Sequence, residues 1–238
     1  MAINNYCACT PVCEEDAVRW LDQYLAEVER LQCFFALHFD HCSHRTKEKA
    51  RRHPAFLGAT SNDDPQTPHA ERHRAGPYGV AKGHFCVAAL TWDIDETWEK
   101  DAPAKFDAVL NNGLHWDAAK VHWINLWGDE RHIRTDNPSN AYRDRLLRLD
   151  SGIRWHWRGP IIVDPYADKC WESVRVLKTD LVCLHHGLMT RELRLQHKKR
   201  WDRVYGHFTS DGKNPYGYWD YILDEEAHPP VIEENKYR

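Results

Sequence analysis

Gly83-His84-Phe85-Cys86-Val87-Ala88-Ala89-Leu90-Thr91-Trp92-Asp93-Ile94-Asp95 carries the strongest strand pattern in the chain. Side chains alternate along a strand, so His84, Cys86, Ala88, Leu90, Trp92 and Ile94 would share one face. Phe85, Val87, Ala89, Thr91, Asp93 and Asp95 would share the other. Both faces begin apolar, as expected of a central strand covered on two sides. One face ends in two carboxylates, the shape of a site built at the end of a core strand.

Outward from this stretch, the sequence predicts further elements. Residues 1–13 read as irregular. A helix starts near Glu14, with Glu14, Glu15 and Asp16 at its positive end, and runs to Pro54. Leu21, Tyr24, Leu25, Val28, Leu31, Phe35, Phe39 and Cys42 fall on one face of it. Residues 54–79 lack periodicity and are rich in Pro, Gly and turn residues. They read as a loop long enough to serve as a lid. Asp93-x-x-Glu96 resembles a capping box opening a helix over 96–112. Val121–Trp127 is a second strand, and Ser139 or Asn140 caps a helix ending near Asp150. Residues 153–164 and 173–178 are further strands, and Thr179 caps a helix reaching Arg200.

The expected fold is α+β: one domain with a small mixed sheet of about four strands, a long N-terminal amphipathic helix and a C-terminal helix packed on it. Within it, 1–53 is the N-terminal segment and helix, 54–79 the loop or lid, 80–224 the core and 225–238 a polar tail.

Composition bounds the function. The chain has 238 residues, 42% hydrophobic and 29% charged, which is globular composition. A net charge of −4 gives no global argument for nucleic acid or an anionic membrane. No apolar stretch is long enough to span a bilayer, and the N-terminus lacks a signal-peptide pattern. The expected location is the cytoplasm, where the eight cysteines stay reduced. Sixteen histidines and eleven tryptophans are the unusual counts.

Four places can carry chemistry. Three predicted strands run into carboxylates: Asp93 and Asp95, then Asp129, then Asp164. Gathered at one edge, they would hold a divalent metal ion through oxygen ligands. His38 and Cys42, at i and i+4 on the long helix, form an alternative zinc pair. Arg154, His156 and Arg158 share a strand face opposite Trp155 and Trp157, a cationic surface for an anionic substrate. Cys183, His185 and His186 read as one turn of the last helix, placing a thiol near an imidazole. His122 and His156 are the candidate acid–base groups, with Arg154, Arg158 and Trp155 binding substrate.

Three functions follow. The first is a metal-dependent hydrolase or lyase acting on a small anionic molecule. The second is an aromatic-lined module that binds a small ligand without chemistry. The third is an interaction protein that forms a homodimer through its N-terminal helix.

Overall fold

The computed structural model describes residues 4–63, 70–111, 115–137, 140–150, 156–157, 163–164, 174–205 and 222–238; at 70–74, 156–157, 163–164 and 200–205 it describes the backbone alone. The first half alternates strand and helix: β1 (Asn4–Cys13), α1 (Glu14–Leu31), β2 (Cys33–Asp40), α2 (His44–Arg51), β3 (Phe56–Asn62), α3 (Ala70–Gly83) and β4 (Ala88–Thr91). The second half is strand-rich: β5 (Glu96–Trp98), α4 (Ala102–Asn111), β6 (Ala118–Trp127), β7 (Asp129–Arg134), β8 (Ala141–Arg148), β9 (His156–Trp157), β10 (Val163–Asp164), β11 (Val176–His185), α5 (Arg191–Tyr205) and β12 (Ile232–Glu234).

One large mixed sheet of ten strands holds these together, in place of the small sheet expected from the sequence. Its path is β12-β7-β6-β8-β4-β1-β2-β3, with β11 joined to β6 and β5. β3, β2, β1 and β4 are all parallel. β8 is antiparallel to both β4 and β6, and β11 runs parallel to β6. The order 3-2-1-4 is that of a doubly wound, Rossmann-like half-sheet. From β1 the chain winds outward one way and from β4 the other, so a crevice opens at their carboxyl ends.

Both faces of the parallel half are covered. α1 lays Trp20, Leu21, Tyr24, Val28 and Leu31 on the side of Tyr6 and Ala8. α3 lays Tyr78 and Ala81 on the side of Cys7, Cys9, Ala36 and Ala89. Residues 1–13, expected to be irregular, thus supply the buried strand β1 from Asn4 on.

The long helix to Pro54 is the largest correction. α1 stops at Leu31 because Gln32 takes a left-handed conformation (φ 52°) and caps it. Residues 33–40 then form a parallel strand buried on both sides. A strand of that kind is almost continuously apolar, so it fits a helical period as readily as a strand's. A separate helix, α2, follows, with Ser43 Oγ accepting from the Thr46 N–H at 3.2 Å.

The expected lid is also corrected: its described parts are β3 and α3, which pack on the sheet. A Cβ at Gly76 would stand 3.0 Å from Thr60 Cβ, so glycine is what lets α3 lie this close to β3. The strand read over 83–95 shrinks to Ala88–Thr91, preceded by a turn with Phe85 at φ 57°. Glu96 does reach back to the Asp93 N–H at 2.9 Å, as in a capping box, yet the chain continues into β5. The helices expected at 139–150 and 179–200 are β8 and β11, with α5 beginning only at Arg191. Among the described residues no helix is long and apolar enough to cross a membrane.

Candidate metal centre

β4, β6 and β11 run in the same direction, so their carboxyl ends meet at one edge of the sheet. β4 leads into Trp92-Asp93-Ile94-Asp95, β6 presents Asn125, and β11 ends at His185. The chain then passes through Gly187 and turns into α5, whose first turn is capped by Thr190, with Oγ1 accepting from the Leu193 N–H at 3.2 Å. α5 brings His197 back to the same edge.

Asp95, His185 and His197 form a compact group there. Their ligand atoms lie within 4.8 Å of one another, and no other group of this kind occurs among the described residues. Asp95 Oδ2 is 3.3 Å from His185 Nε2 and 3.4 Å from His197 Nε2. Asp95 and His185 are buried. Burial opposes a charge on His185, but the Asp95 carboxylate outweighs it, and Glu96 and Asp93 add to the pull. The imidazole therefore titrates above the ordinary histidine value. Burial opposes the Asp95 charge as well, yet the two imidazoles hold its carboxyl well below the ordinary range.

Gly187 tests whether the group fits an ion. A Cβ on this residue would lie 2.6 Å from His185 Nε2, 2.7 Å from His197 Nε2 and closer still to Asp95 Oδ2. The absence of a side chain keeps carbon from intruding among the three ligand atoms, which stay free to turn toward one cation at the ~2.0–2.2 Å that metal–ligand bonds require. Two imidazoles and one carboxylate suit manganese, iron, cobalt or zinc better than magnesium or calcium, which favour all-oxygen shells. A small pocket of about 20 Å³ adjoins the group, lined among others by Asp16, Arg19 and Trp20 of α1 and Gln196 of α5. Arg19 Nη1 donates to Gln196 Oε1 at 3.0 Å across its mouth.

A second charged cluster grows from the same stretch. Arg145 of β8 donates to Glu96 Oε1 at 2.5 Å and to Asp93 Oδ2 at 3.4 Å. Trp123 Nε1 donates to Glu96 Oε1 at 2.5 Å. Burial lifts the Glu96 carboxyl above its ordinary value against the opposing pull of Arg145, and the Arg, Trp and backbone donors around it are the partners a carboxylate accepts from.

Of the residues singled out by sequence, Asp95 and His185 belong to this group. Asp93 pairs with Arg145. Asp129 is explained by its turn, accepting from the Arg131 N–H and from His132 at 2.7 Å. Asp164 sits in β10, paired with His156 of β9, and the side chains of both lie outside the described residues. Arg154, Trp155 and Arg158 lie outside them altogether. His38 and Cys42 are not on one helix. His38 points from β2 to Thr60 Oγ1 at 2.8 Å, and the Cys42 thiol donates to the Val12 carbonyl at 3.2 Å. His122 stacks on Tyr142 at 5.1 Å, away from the metal group on the other side of β6. Cys183 lies within β11 while His186 follows its end and faces Thr97 Oγ1 at 2.9 Å, and burial pushes the Cys183 thiol far up, so it is no nucleophile.

The sequence reading missed His197 and Gly187 and placed His185 on a helix. Leu181-Val182-Cys183-Leu184 before His185 is an apolar run that a buried strand also explains. No local signal marks His197, which reaches the site by tertiary packing.

No protein-family model and no curated protein matches this chain. Several solved structures are similar. One is residues 1–349 of TarS from S. aureus, at 13% identity over 92% of this chain and 69% of that one, TM-score 0.45. Another is assigned as a nucleotide-diphospho-sugar transferase from Desulfovibrio desulfuricans G20, at 14% identity over 95% and 97%, TM-score 0.46. A third is the mannosyltransferase PcManGT from Pyrobaculum calidifontis in complex with GDP-Man and Mn2+, at 15% identity over 96% and 70%, TM-score 0.49. At such scores these likenesses decide nothing about this chain by themselves.

The hydrolase or lyase expectation is nevertheless withdrawn. Among the described residues the carboxylates meant to activate water do not gather: Asp93 pairs with Arg145 and Asp129 closes its own turn. The two non-enzymatic readings gain no support either. The apolar face of α1 is buried within this chain, and Trp20, Trp92, Trp98, Trp116 and Trp127 are core residues.

Proposed function

We propose that this chain is a metal-dependent transferase whose donor is a nucleoside diphosphate sugar. The observation that carries the reading is the Asp95, His185 and His197 group around Gly187, at the carboxyl edge beside the crevice between β1 and β4. Ligands of open α/β sheets bind at such a crevice. A nucleoside diphosphate is the ligand chemistry this position suits, because it combines a flat base with a charged diphosphate. The sugar on the diphosphate is taken from the names of the similar structures; the geometry itself asks only for the diphosphate.

Asp95, His185 and His197 would hold a divalent cation. Bound there, such an ion neutralises diphosphate charge and makes the diphosphate a better leaving group. The chain's own part is to bind and orient. Asp95 keeps its negative charge because the imidazoles flank it. Arg145 ties down Asp93 and Glu96 on either side of Asp95, so the loop that carries the carboxylate is fixed. Arg19 and Gln196 stand at the mouth, and their exposed contact is weak enough to give way to a phosphate.

The test is calorimetry of Mn2+ binding, then of GDP and UDP with and without Mn2+. The expected result is nucleotide binding that needs Mn2+ and is lost in Asp95→Ala. Nucleotide binding that is equal with chelator, or absent with Mn2+, would overturn the reading.

A further inference from the structure

A buried relay of amides behind His185 decides which of its ring nitrogens faces the metal group. His185 Nδ1 lies 2.8 Å from Asn125 Oδ1. Asn125 Nδ2 and the Asn125 backbone N–H both lie 2.9 Å from Asn140 Oδ1. Asn140 Nδ2 lies 2.6 Å from the carbonyl oxygen of Arg134. Asn125 is fully buried on β6, and Asn140 stands just before β8.

The direction of every bond in this relay follows from its two ends. A backbone N–H only donates, so the Asn140 atom facing the Asn125 N–H is oxygen. A backbone carbonyl only accepts, so the Asn140 atom facing Arg134 is nitrogen. The Asn140 amide is thereby oriented twice, by independent partners. Its oxygen demands a donor from Asn125, which turns the Asn125 NH2 toward Asn140 and its oxygen toward His185. An amide oxygen only accepts, so His185 Nδ1 carries a proton. Asp95 Oδ2, 3.3 Å from Nε2, also only accepts, so the charged imidazole donates at both nitrogens; the proton given up to a cation is the one at Nε2, while Nδ1 keeps its own against the closer Asn125 oxygen.

We propose that Asn125, held by Asn140, is a positioning residue that locks His185 in the Nδ1–H tautomer and makes Nε2 its metal-binding atom. This rests on the metal reading of the site for its purpose, but the tautomer itself does not. Partners of this kind behind a ligating imidazole are worth about 10–100-fold in metal affinity.

The experiment has two arms. Long-range 1H–15N NMR of the metal-free wild-type protein, at a pH above the titration of His185, reads the tautomer directly. The expected signature is a protonated Nδ1; a protonated Nε2 overturns the proposal without any variant. The second arm measures Zn2+ and Mn2+ affinity for wild type, Asn125→Leu and Asn125→Asp, with melting curves as a folding control. Asp keeps an acceptor for Nδ1–H and should retain the tautomer, at a lower melting temperature because it loses the donor to Asn140. Leu should release it and weaken metal binding about 10-fold or more. A folded Leu variant with wild-type tautomer and wild-type affinity overturns the lock. If wild type binds neither ion but keeps the Nδ1–H tautomer only while Asn125 is present, the lock stands and the metal reading fails.

Discussion

Asp93-Ile94-Asp95-Glu96 feeds two charged clusters that solve the same problem in different ways. Glu96 and Asp93 face Arg145, and Trp123 closes over Glu96, so protein donors surround the charge. Asp95 faces His185 and His197 across a space that Gly187 leaves empty of side chain. One cluster is complete as folded. The other holds its charges together while keeping room for something more. A carboxylate surrounded by fixed donors is a structural part, whereas one flanked by imidazoles around a gap is built to exchange partners.

Several measurements can break or sharpen this contrast. The largest effect is expected at Arg145→Met. Removing one member of a buried ion pair leaves Glu96 uncompensated, at a cost of ~3–5 kcal/mol in unfolding free energy by urea titration. A loss under ~1 kcal/mol would mean that water reaches Glu96 and that the cluster is not sealed.

Gly187→Ala should reverse the pattern. Overpacking costs ~1–3 kcal/mol in stability. Mn2+ affinity by calorimetry should fall about 100-fold, since the methyl would push the three ligand atoms apart. Asp129→Asn should leave Mn2+ affinity unchanged, because that carboxylate belongs to a turn.

The pH dependence of the chelated protein separates the clusters further. Asp95 has a depressed pKa, so its contribution is present above the ordinary carboxylate range and fades as pH falls through the depressed value. His185 has a raised pKa, so its contribution is complete below about pH 6.5 and fades as pH rises through the raised value. Denaturation with chelator present should therefore show stability falling above neutral pH. Asp95→Asn should flatten that fall, and Mn2+ affinity should rise over the same interval. A metal-free stability that is flat from pH 6 to 9 would contradict the ion pair.

The smallest effect concerns His122, which lies outside both clusters. Burial, and then Lys178, hold its pKa below the ordinary histidine value. Lys178→Met should move its NMR titration upward while leaving the metal group untouched.

The legibility of these features in the sequence follows from how local their causes are. Asp95 could be found because a strand pattern pointed straight at it. The Glu96 contact to Asp93 was visible as a four-residue motif, although β5 intervenes and the helix, α4, begins only at Ala102. Residues 33–40 were misread because a strand buried in a large sheet loses its two-residue alternation; in 141–148 only Arg145, Leu146 and Leu147 are buried, too short a run to show a strand's period. His197 and Asn125 had no local mark; each earns its place from an element distant in sequence. The strand order β3-β2-β1-β4 was equally hidden, and it alone turns the acidic end of β4 into the lip of a crevice.

Gly187 has one more consequence. Its missing methyl is what lets one carboxylate and two imidazoles converge from three separate elements. Ala at this position would act as a wedge, forcing at least one of the three groups aside. The smallest side chain the code offers would thus undo a meeting arranged by a loop, a strand and a helix.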